Sequence, residues 1–73
     1  MTVSAIIKKI LEEKEISQVE LAKMMNMSRQ NLNNKLSRDN FTIKELSNIS
    51  KVLDVSLIIK DKAGNEQIIS YYD

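Results

Sequence analysis

The stretch SQVELAKMMNMSRQNLNNKL, residues 17–36, decides the fold of this 73-residue chain. Ser17 is a strong helix N-cap, and Glu20 three residues later completes a capping-box pattern, with Ile16 placed to staple against Leu21. A helix is predicted from Gln18 to about Met25. Asn26 then stands between two methionines, and asparagine is the non-glycine residue that best tolerates a left-handed backbone. Ser28 offers a new N-cap two residues on. In the segment it opens, Leu32 and Leu36 stand at i and i+4, one narrow apolar stripe on an otherwise polar helix. Capping chemistry and periodicity thus predict a short helix, a tight turn and a second helix.

The same logic extends in both directions. Upstream, Val3, Ile6, Ile7, Ile10 and Leu11 form the stripe of an amphipathic helix, with Lys8, Lys9, Glu12 and Glu13 on its solvated face. Downstream, Asp39 and Asn40 supply turn chemistry, and Thr42 with Glu45 forms another capping-box pattern. Ile43, Leu46, Ile49 and Leu53 predict a fourth helix to about Asp54. The period then changes. Two β-rich runs, Leu57–Lys60 and Gln67–Tyr72, flank a segment with the chain's single glycine, which reads as a hairpin. Its register stays open, because Ile58–Ile59 and Ile68–Ile69 are adjacent apolar pairs. Cross-strand packing is expected for Tyr71 and Tyr72, and core filling for Met24, Met25 and Met27. With no proline, repeat or linker, residues 1–73 read as a single domain, a helical body over 3–56 and a hairpin over 57–72.

Composition removes several function classes. The chain is 42% hydrophobic and 29% charged, an ordinary globular balance. It has no cysteine and no histidine, so zinc sites built on them, thiol nucleophiles and histidine acid–base chemistry are excluded. No metal, cofactor or enzymatic activity is expected. No apolar run approaches a membrane span, and the start MTVSAIIKKILEEKE lacks a signal-peptide core, so a cytoplasmic protein without a membrane partner is expected. Net charge is only +1, but its distribution is uneven. From Leu21 to Arg38 there are four cations (Lys23, Arg29, Lys35, Arg38) and no acid, whereas after Thr42 there are four cations and five acids. One local positive face is predicted.

These residues carry a resemblance. SQVELAKMMNMSRQNLNNKL is similar to the helix-turn-helix unit of the Cro and phage-repressor (XRE-like) DNA-binding family, and the likeness extends over roughly residues 3–56. It departs from the family at Asn26, where glycine is usual, and at Lys35, where an apolar residue is more common and Leu36 takes over the anchoring. The resemblance implies a mainly α, four-helix repressor-like DNA-binding domain with a C-terminal β-hairpin, in which the second motif helix enters a major groove. Arg29 and Gln30, with Asn33 or Asn34 one turn on, become the candidates for base contact. Arginine can donate two bonds to guanine, and glutamine or asparagine can pair bidentately with adenine. Gln18 occupies the position that the family uses for a phosphate contact, and Ser28, Asn31, Lys35 and Arg38 are further phosphate candidates. The function implied is sequence-specific binding of double-stranded DNA by a small transcriptional regulator that represses by promoter occupancy. It would act as a homodimer on a two-fold operator, joined through the hairpin. An antitoxin of a toxin–antitoxin pair and a helical protein-interaction module are the alternatives.

Overall fold

A computed structural model of the chain describes residues 1–70; Tyr71 and Tyr72, expected on the second strand, lie outside the described residues. Four helices, α1 (Val3–Lys14), α2 (Gln18–Met24), α3 (Arg29–Arg38) and α4 (Ile43–Val52), precede a hairpin of β1 (Ile58–Lys60) and β2 (Glu66–Ile68). The fold is therefore mainly helical with a small antiparallel hairpin at its end. Two compact units are distinguishable, Met1–Asn40 and a second that begins at Phe41.

Each helix starts where a hydroxyl can cap it. The side chains of Thr2, Ser17, Ser28 and Thr42 accept the backbone N–H of Ala5, Glu20, Asn31 and Glu45 at 3.0–3.1 Å. In α2 and α4 the capping box is complete, since the Ser17 and Thr42 N–H groups donate to Glu20 Oε1 and Glu45 Oε1. Each helix ends on a left-handed residue, and none of the four is glycine: Glu15 (φ 57°), Asn26 (56°), Asp39 (51°) and Asp54 (58°). Beyond each, the next N–H reaches back to close a Schellman turn, as Met27 N–H does to the Ala22 carbonyl at 2.9 Å. Asn26 thus adopts the conformation expected of it.

In the first unit, α2 and α3 pack on each other, and Ile7, Leu11, Leu21, Ala22, Leu32 and Leu36 are buried. Leu36 is buried and Lys35 half-buried, so the anchoring role does pass to Leu36. Two expectations need correction here. The buried side of α1 centres on Ser4, Ile7 and Leu11, so the stripe is turned by about 65° from the purely apolar one and leaves Ile6 exposed. On α2 the buried direction lies between Leu21 and Ala22; Met25 follows it, while Met24 points about 110° away and is 44% exposed rather than core filling.

In the second unit, α4 buries Ser47 and Ser50 beside Ile49, with Leu53 buried at its end. Ile43, counted in the apolar stripe, sits in the first turn and is exposed. Ser50 Oγ donates to the Leu46 carbonyl at 2.8 Å, which satisfies a buried hydroxyl within its own helix. The helix stops at Val52, two residues short of expectation, because Asp54 turns left-handed. The hairpin pairs Ile58 with Ile68, Ile59 with Gln67 and Lys60 with Glu66. Its second strand begins one residue earlier than expected and ends at Ile68. A β-turn closed by Gly64 N–H to the Asp61 carbonyl, followed by Gly64 at φ 93°, sets this register. Asp61 stiffens the loop: its carboxylate accepts from the backbone N–H groups of Ala63 and Asn65 and from Asn65 Nδ2.

Candidate nucleic-acid interface

The sequence of α3 determines which side chains face out. Successive residues turn by about 100°, so the buried pair Leu32 and Leu36 defines one inward direction. Gln30 and Asn34, at i and i+4, lie about 140° and 180° from it and form the outermost ridge. Arg29 and Asn33, also at i and i+4, run along the flank on one side. Asn31 and Arg38 take the other side of the ridge. All six are exposed, whereas Lys35, about 80° from the inward direction on the flank opposite Asn33, is half-buried and engaged in an interaction within the chain.

The Arg29–Asn33 flank meets α2. Gln18, Arg29, Gln30 and Asn33 together line an open concavity of about 280 Å³. The tight turn around Asn26 makes this possible, because it brings the first residue of α2 beside the first turn of α3. Four of the nine candidate residues are therefore gathered at one place. Ser28, Asn31, Asn34, Lys35 and Arg38 are outside the concavity, although Asn34 shares the outer ridge with Gln30. Ser28 accepts the Asn31 N–H through its Oγ, which leaves its own hydroxyl proton free to donate. Ser37, not among the candidates, is exposed one turn beyond Asn33 on the same side of the ridge; continuing the i, i+4 spacing would have picked it out.

The electrostatics agree with this geometry. No acid stands in the first turn of α3, and Lys35 and Arg38 occupy its last turn. Glu20, the carboxylate nearest in sequence to Gln18, is held by the capping box. Its pKa lies below the ordinary glutamate value, chiefly because the Ser17 backbone N–H donates to it, then because of the Ser17 hydroxyl, with Lys23 adding a smaller effect. The far end of α3 is also anchored. Asp39 Oδ1 accepts the Ser4 backbone N–H at 2.7 Å, tying the end of α3 to the first turn of α1 across 35 residues.

Among the described residues no helix is long and apolar enough to cross a membrane. In comparisons with known proteins, no curated protein and no solved structure matched the chain. A helix-turn-helix family model does match, over residues 7–59, which takes in all of α2, the turn, α3 and α4. The capped helix pair, its left-handed turn and its acid-free second helix thus have their explanation: the chain belongs to the Cro/C1-type (XRE-like) helix-turn-helix family, a family of DNA-binding regulators.

Proposed function

We propose that this chain is a sequence-specific regulator that reads the major groove of double-stranded DNA with α3 and represses by occupying a promoter, in the cytoplasm. One observation carries the reading. The exposed surface of α3, its outer ridge and the flank beside Gln18 at the start of α2, offers an arginine and several amides with no carboxylate. Arg29, Gln30, Asn33 and Asn34 are assigned to base edges, and Gln18, Ser28, Asn31, Lys35 and Arg38 to phosphates. The family match runs through both compact units, which supports a single functional domain.

The chain would bind as a homodimer through its hairpin. Ile69 N–H donates to the Leu57 carbonyl and Asp61 N–H to the Asn65 carbonyl, so the residues between alternate. That alternation turns the backbone groups of Ile58 and Lys60 to one edge and those of Glu66 and Ile68 to the other. Ile59 and Ile68 are 63% and 68% exposed. Open edges and exposed isoleucines on three-residue strands favour pairing with a second copy.

The test is a mobility shift with random and with selected duplex DNA over a range of salt, alongside sedimentation of the wild type and Ile68→Lys without DNA. A salt-sensitive shift, stronger on selected DNA, and a dimer lost in Ile68→Lys are expected. No shift on any duplex would point to the protein-interaction module instead. A wild-type monomer, or a dimer unchanged by Ile68→Lys, would remove the hairpin as the joint.

A further inference from the structure

The base-reading groups on α3 are chemically lopsided, and this points to a class of target. We infer that the half-site is a short A·T-rich element anchored on a single G·C pair, an inference that rests on the DNA-binding reading above. The outermost ridge carries Gln30 and Asn34, and the flank beside Gln18 carries Arg29 and Asn33. Three of these four are amides. An amide donates to and accepts from adenine N6 and N7 at once, whereas guanine presents only acceptors there, which suits the two donors of Arg29. No carboxylate on this arc can accept from cytosine N4, and no apolar side chain is available for a thymine methyl. G·C is thus read once, by Arg29, and the amides select adenine.

Spacing sets the size of the element. Residues four apart on a helix advance by about 6 Å, close to two base-pair steps of about 3.4 Å. Gln30 and Asn34 therefore address pairs about two steps apart, and so do Arg29 and Asn33. The two rows begin one residue apart, so the contacts interleave over about three or four consecutive base pairs. An amide against the wrong pair leaves a donor or acceptor without a partner. Discrimination of about 5- to 150-fold at each pair follows.

The experiment is selection from a randomised duplex pool with the intact chain, repeated with Arg29→Ala, Gln30→Ala and Asn34→Ala. All three positions are exposed, and thermal melts check that each variant is folded. The expected result is an enriched half-site with one G·C pair and a majority of A·T pairs. Arg29→Ala should equalise the bases at the G·C position alone, and each amide variant should do so at an A·T position. An enriched half-site with mostly G·C pairs, or an A·T preference unchanged in both amide variants, would overturn the inference while leaving DNA binding intact. No enrichment, together with no mobility shift on any duplex, would bring down the DNA-binding reading and this inference with it.

Discussion

The four left-handed helix ends allow a substitution experiment in which one backbone change has opposite signs at different positions. Glycine at Glu15 removes a β-carbon from a conformation that disfavours L-residues by about 1–2 kcal/mol, against about 0.5–1 kcal/mol of extra chain entropy lost by glycine. Glu15→Gly should therefore stabilise by about 0.5–1 kcal/mol. Asn26→Gly should gain less, because asparagine already tolerates that backbone. Asp39→Gly makes the same backbone gain but removes the carboxylate that accepts Ser4 N–H at 2.7 Å. Hydrogen bonds to charged groups contribute about 1.5–3 kcal/mol, and the lower end applies here because Asp39 is exposed. The net expectation is a loss of about 0.5–1 kcal/mol, or about 2–8 °C in Tm for a domain of this size. Thermal and urea melts of the three variants at neutral pH provide the measurement. Should Asp39→Gly stabilise as much as Glu15→Gly, the bond to Ser4 would contribute nothing and α3 would not be held to α1 in this way.

Other perturbations test separate parts of the structure. Ser4 Oγ is buried with no partner among the described residues, so Ser4→Ala should leave stability unchanged or raise it by up to about 1 kcal/mol; a loss in a urea melt would show that the hydroxyl has a partner. Asn26→Val places a β-branched residue at φ 56° and should destabilise by about 1–2 kcal/mol, with a melt at least as stable as wild type counting against the turn. Asp61 has its pKa lowered below the ordinary 3.8, mainly by the Asn65 side chain and then by backbone N–H groups. Its contribution to the hairpin is therefore complete above that value and lost as pH falls through the lower folded one. Amide exchange or chemical shifts in the loop should follow this in wild type and not in Asp61→Asn. Arg38→Ala should weaken all duplexes alike and reduce the log K against log salt slope by about 0.9, whereas Arg29→Ala should chiefly erode preference for the selected site.

Much of the architecture was legible in short-range chemistry. Hydroxyls at residues 17, 28 and 42, carboxylates at 20 and 45, and Asn26 marked the helix starts and the turn, because capping depends on residues three or four apart. The acid-free, amide-rich character of α3 was equally plain, since exposure opposite Leu32 and Leu36 follows from helical period alone. What the sequence could not supply was anything that depends on distant segments. Ser4, Ser47 and Ser50 are buried although they are polar, and Met24 and Ile6 are exposed although they are apolar. Tertiary packing sets the centre of each buried face, and hydrophobicity only approximates it. Asp39 looked like a turn residue, yet its carboxylate also accepts the N–H of Ser4, 35 residues earlier in the first turn of α1. The hairpin register was ambiguous between adjacent isoleucine pairs until the Asp61–Gly64 turn chose one. Gln18 and Asn33 come to share a concavity only because the chain turns back at Asn26, and no local pattern in the sequence encodes that proximity.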